Sequence, residues 1–335
     1  MRRISRCLLA VVFAAGLVSS ARAADVDPLL PKETEYVMHM NFKQMLDSDI
    51  IKKYAMGQIK QAMQGEDIKA ILESLGLDPL KDIDRATMGL WGSGQDMNTV
   101  GVIKGKFDAK KLFDAAKTFS DKNKDKVEIV TEKADDKEVT LVKFSQDSGK
   151  PVFLTVADEG TIVMGSEKKY AVAALTAFNK KEKAKLGKEL TALLLKQDDK
   201  ASMYFVAVTE GKLKDIPAGS FDGLKQVGVD GDKMKEQLEK MNTVAVTLNL
   251  GKEVKFSAVM GMKDADAAEE FNGTLEKLVD TAKTFLPLLG GQQPKAKTLI
   301  DDLSKTLGVK AKDKDVTLSF SLTAKAIGDL AGTDE

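Results

Sequence analysis

Four short segments of alternating polarity, at about 126–132, 138–145, 151–157 and 160–165, follow one another with only polar turns between them. Strands joined that tightly pair antiparallel, because a parallel neighbour needs a crossover of a dozen residues or more. The reversals at Ala134-Asp135-Asp136, Asp147-Ser148-Gly149 and Asp158-Glu159-Gly160 carry the residues that tight turns use. A meander of this kind belongs to an α+β fold and argues against a doubly wound parallel sheet.

The flanking chain extends that plan. Tyr36, Met38, Met40 and Phe42 alternate with Val37, His39 and Asn41, predicting a first strand over 36–42. Helices are predicted over 47–63 and 67–75, the second closed by Gly76 before Asp78-Pro79. Segments 85–91 and 99–106 flank Gly92-Ser93-Gly94-Gln95-Asp96 as a hairpin, and Asp108 caps a helix running to about Ser120. A further helix over 167–178 closes this half, and Lys180-Lys181-Glu182-Lys183-Ala184-Lys185 reads as a solvated connection.

The second half repeats the order: a strand at 202–208, a hairpin of 243–250 and 253–262, then helical stretches at 271–286 and 295–307 split by Pro287 and Gly290-Gly291. Two string matches support duplication, Gly105-Lys106-Phe107-Asp108-Ala109 with Gly261-Met262-Lys263-Asp264-Ala265, and Asp136 to Leu141 with Asp313 to Leu318. On this alignment the second half lacks a counterpart of the 151–165 hairpin. The expected architecture is two tandem duplicated lobes, 24–180 and 181–335, each a curved antiparallel sheet with helices packed on one face.

The first 23 residues read differently. Arg2, Arg3 and Arg6 precede an uncharged run from Cys7 to Val18, and Ala21-Arg22-Ala23 supplies a small-x-small cleavage pattern, so 1–23 is expected to be a signal peptide. The run is too short to cross a bilayer, which takes roughly 20 apolar residues. The mature protein is therefore expected to be soluble, without a transmembrane segment, and periplasmic or secreted. Cleavage near Ala23 removes the only cysteine and four of five arginines, leaving 47 basic against 51 acidic residues and a net charge of −4. That composition excludes disulfides, thiolate metal sites and cysteine nucleophiles, and a mildly acidic body speaks against nucleic-acid binding.

Leu30-Pro31-Lys32-Glu33-Thr34-Glu35, the run Met45 to Tyr54, the run Leu77 to Arg85, and Gly105-Lys106-Phe107-Asp108 together resemble a family of secreted proteins of uncharacterised function from planctomycete-type bacteria. The resemblance spans the mature chain. It implies export and the two-lobed architecture, and it supplies no ligand or catalytic residue.

Chemistry-bearing residues are few. His39 is the only histidine and is expected on a half-exposed strand face, opposite Met38 and Met40. Oxygen-rich strings at Asp135-Asp136, Asp230-Gly231-Asp232 and Asp313-Lys314-Asp315 complete no calcium loop and read as turns. Gly92-Ser93-Gly94 opens like a dinucleotide fingerprint, but Met97 stands where the third glycine belongs. No catalytic residue, metal site or cofactor is assigned.

Two ligand-facing features are. Arg85, alone among the mature chain's lysines, is either an anchor for an anionic ligand or the partner of a neighbouring acid. Met38, Met40, Met260 and Met262 either fill a core or line a groove for an apolar ligand. The expected function is therefore binding, by a non-enzymatic exported protein, of an apolar small molecule or an envelope protein. A carboxylate-based hydrolase and a structural envelope component are the alternatives.

Overall fold

The computed structural model describes residues 25–332 apart from 66–68, 70–71, 73–76, 135–136, 146–149, 218 and 293. The leader 1–23, most of the helix predicted at 67–75 and the turns at 135–136 and 147–149 lie outside the described residues.

Among the described residues, twelve strands form one antiparallel sheet in an α+β fold. They are β1 Tyr36–Met40, β2 Ile83–Trp91, β3 Asn98–Gly105, β4 Val127–Ala134, β5 Lys137–Phe144, β6 Val152–Asp158, β7 Thr161–Gly165, β8 Met203–Val208, β9 Met241–Leu250, β10 Glu253–Met262, β11 Gly308–Lys312 and β12 Asp315–Thr323. Their order across the sheet is β11-β12-β10-β9-β8-β1-β2-β3-β7-β6-β5-β4. The two lobes meet at β1 and β8, which pair antiparallel with Met38 opposite Phe205 and His39 opposite Tyr204.

The helices are α1 Phe42–Asp47, α2 Met56–Met63, α3 Pro79–Asp82, α4 Ala109–Lys122, α5 Lys168–Asn179, α6 Lys188–Leu194, α7 Gly231–Glu239, α8 Ala265–Gln292, α9 Lys297–Thr306 and α10 Ala324–Ala331. The first strand is shorter than predicted because the Asn41 side chain accepts from the Gln44 backbone N–H and starts α1 there. A π-helical turn, Ile51–Ala55, then separates α1 from α2. Pro287, predicted to split a helix, lies inside the continuous α8; it is exposed, so the missing hydrogen bond falls on the solvent side.

The duplication is visible in how each lobe ends its hairpin. Gly105 closes β3 and Asp108 caps α4, with Oδ1 accepting from the Lys111 N–H at 3.0 Å. Gly261 ends the regular register of β10 and Asp264 caps α8, accepting from the Ala267 N–H at 2.8 Å. Both glycines are forced by close approach: a Cβ at Gly105 would collide with the Asp82 carbonyl, and one at Gly261 with the Thr243 hydroxyl.

The second string match is not a structural equivalence. β12 lies beside β10 as β7 lies beside β3, so by position β11-β12 corresponds to β6-β7. The pair without a counterpart is β4-β5 rather than the 151–165 hairpin.

Alternation gives the sheet two faces. On the face of Met38, α4 covers Val127, Val142 and Ile162, while α8 covers Met262 and Val316. Ile50 and Tyr54, just beyond α1, pack there against Leu250 and Val254, tying the N-terminal lobe to the other. On the face of Val37, α5 and α6 form a second layer over Val102, Val163, Tyr204 and Val206. Helices thus lie on both faces, over the centre of the sheet on the Val37 face and towards its two ends on the Met38 face.

Candidate functional site

Two features of the sheet can hold a ligand, one on each face.

The first lies on the Val37 face. His39 is 7 % exposed, so it is a core residue and not the half-exposed one expected. Its Nδ1 shares a 2.9 Å hydrogen bond with Oγ1 of Thr87, the residue opposite it on β2. Its ring stacks on Tyr204 at 4.7 Å and 12°. Burial, then the nearby Arg85 charge, lower the imidazole pKa to about 4, so His39 is neutral near pH 7. Burial raises the Tyr204 phenol to about 12.

These rings form one wall of a cavity of about 590 Å³, lined also by Arg85, Thr87, Lys104, Phe178, Asp199 and the chain segment 25–29. Asp27 hangs from that segment, its Oδ1 accepting from the Leu29 N–H at 3.0 Å. Burial holds the Asp27 carboxyl above the usual range despite the opposing pull of that hydrogen bond, Lys104 and Arg85. Among the described residues Arg85 forms no ion pair.

The second feature lies on the Met38 face. The strand registers align Met164, Gly101, Met88, Met38, Phe205, Val246, Ala258 and Leu318 in one row across eight strands. Not one of them is polar. At strand spacings of about 4.8 Å the row is about 34 Å long. None of the eight belongs to the buried core clusters of the described residues, and all but Gly101 are half-buried. One end opens into a groove of about 760 Å³ lined by Met88, Met97, Val152 and Met164, with Lys150 and Ser166 on its polar side. Met164 fits there because Gly101 has no side chain: a Cβ would stand 2.5 Å from its Cγ.

The four methionines named from sequence divide accordingly. Met38 and Met40 are half-buried on this face, Met38 within the row. Met262 is 2 % exposed beneath α8, and Met260 packs against the same cluster. Met88, Met97 and Met164 were not singled out, although alternation alone would have placed Met88 and Met164 on strand faces.

Among the described residues no group of three or more His, Cys, Asp or Glu side chains is placed to hold a metal ion, and no helix is long and apolar enough to cross a membrane.

No protein-family model matches the chain, and no curated protein matches it. Among solved structures it is similar to TP0453 of the spirochete Treponema. Crystal form I has a TM-score of 0.46 at 7 % identity, over 92 % of this chain and 97 % of that one. Crystal form IV gives 0.44 at 7 %, over 92 % and 96 %. Likeness at this level carries no functional argument.

Proposed function

We propose that this chain is an exported, non-enzymatic binding protein whose ligand is an extended apolar molecule lying along the Met38 face. The observation that carries the reading is the unbroken apolar row from Met164 to Leu318, with a groove of about 760 Å³ at one end. A sheet face left half-open to water and lined by methionine costs solubility unless something occupies it. Methionine also suits a ligand of variable shape, since its unbranched thioether adapts to irregular surfaces. Ligand sites commonly span about 300–1,000 Å³, and the groove falls in that range.

The test is titration of the mature protein with N-phenyl-1-naphthylamine, a neutral apolar fluorophore. Saturable enhancement, competed by a long-chain alcohol and weakened about tenfold or more in Met88→Asp, is the expected result. No saturable enhancement in the wild type, or an unchanged titration in a folded Met88→Asp, overturns the reading. Native mass spectrometry of protein purified from its own envelope supplies a second measure, and repeated recovery without a co-purifying molecule also counts against it.

A further inference from the structure

Arg85 and Lys104 are direct partners across β2 and β3. Like charges placed opposite each other destabilise a sheet, so an anion held between them would ease this pair. Neither cation has an ion-pair partner among the described residues. Among the described residues Lys104 Nζ meets neutral groups, donating to Thr161 Oγ1 at 3.0 Å and lying 5.7 Å from the Phe178 ring centroid. Both line the cavity walled by His39 and Tyr204.

Asp27 feels both charges without closing on either cation. Asp27 spends one oxygen on the Leu29 N–H and forms no ion pair with either cation. Burial outweighs the pull of both cations on its carboxyl, which lies above the usual range. The choice of residue adds to this. Lysine supplies every other cation after residue 23, and only at position 85 does the chain present the planar fork that takes a carboxylate with two parallel hydrogen bonds.

We propose that this cavity binds a small monocarboxylate, its carboxylate held by the Arg85 fork with Lys104 as second cation and its apolar body against Tyr204 and Phe178. The volume of about 590 Å³ suits a small molecule. Lys181, Asp25, Glu182 and Asp199 also line the cavity, and Glu182 pairs with Lys185, so the lining carries no large cationic excess and favours a monoanion such as a carboxylate over a phosphate dianion. The site is on the opposite face from the apolar row and does not depend on it.

His39 makes the test direct, because the protein's single histidine gives one imidazole signature in NMR. Benzoate is titrated against the mature protein, with benzamide as the neutral isostere and inorganic phosphate as the dianion. Benzoate is expected to shift the His39 resonances saturably. Benzamide and phosphate are expected to bind about tenfold more weakly or worse, and Arg85→Ala to weaken benzoate by a similar factor. Arg85→Lys is expected to lose several-fold, and the His39 titration to move up when benzoate screens the Arg85 charge.

Absence of a His39 shift at about 10 mM benzoate overturns the proposal, since that marks binding too weak to be specific. So does an unchanged affinity in Arg85→Ala, or tighter binding of phosphate than of benzoate. Trp91 fluorescence checks that each variant is folded, and Met88→Asp, which tests the apolar row, is expected to leave benzoate binding unchanged.

Discussion

His39 and Tyr204 face each other across the seam between the lobes, paired in register on β1 and β8 and stacked ring on ring at 4.7 Å. Each lobe contributes one ring, so the seam carries an aromatic contact as well as backbone hydrogen bonds. The imidazole survives burial by remaining neutral, bonded to Thr87.

That neutrality sets a pH dependence. The pKa of His39 falls from 6.5 in the unfolded chain to about 4 in the fold, so the unfolded state binds the proton more readily between those values. Stability is fully present above pH 6.5 and is lost as pH falls through 4. At about 1.4 kcal/mol per unit the loss is roughly 3 kcal/mol. Asp27 has the opposite sign: its raised pKa gives stability that is present at low pH and lost as pH rises through it. Thr87, Tyr204, Arg85, Lys104 and Asp27 are the groups facing or surrounding the ring. Urea melts of wild type and His39→Gln at pH 7.5 and 4.5 check this, with the variant expected to have the flatter profile.

Gly105→Ala is expected to destabilise the protein by about 3 kcal/mol, because the new methyl meets a backbone carbonyl that cannot move aside. Gly273, in α8 with nothing within 4 Å of its missing Cβ, is the contrast. There alanine is expected to stabilise by about 0.5–1 kcal/mol through helix propensity. Chemical denaturation of the two variants should move in opposite directions.

Gly101→Ala differs from both. Its methyl meets only the flexible Met164 side chain, which can swing away. Little stability is expected to be lost, but Met164 would be displaced into the groove. N-phenyl-1-naphthylamine binding should therefore fall while the denaturation midpoint stays close to wild type.

Asp264→Ala removes the side-chain acceptor for the Ala267 N–H and is expected to cost about 1 kcal/mol. Asp108→Ala should act in the same direction, since Asp108 holds the same place in the other lobe. A thermal melt of each variant measures the loss.

Local signals were the ones the sequence displayed openly. Asp108 caps the helix predicted for it, because a cap needs only a side chain and a backbone N–H three residues on. The hairpins at β2-β3 and β9-β10 follow from their turns. The faces of β1 were harder to read. Alternation separates Met38 and Met40 from Val37 and His39, but which set is sealed depends on α5 and α6, more than 120 residues further along the chain. Ranked by side chain alone, the histidine belongs outside, yet Thr87 and Tyr204 supply what burial requires. The cavity was legible only as the oddity of Arg85. Its other members come from β1, β2, β3, β8, α5, the loops after α5 and before β8, and the segment before β1, and a linear reading cannot bring them together.

The β1-β8 pairing also bears on biosynthesis. β1 is complete at residue 40, and its second neighbour does not begin until residue 203. Until that segment leaves the ribosome, the first lobe carries a raw strand edge flanked by apolar rows, the kind of edge on which nascent chains aggregate. Closing it brings together strands far apart in sequence, which makes the step slow. A fragment ending near residue 180 keeps that edge for good, so chaperone demand during synthesis should be concentrated in the interval before β8 arrives.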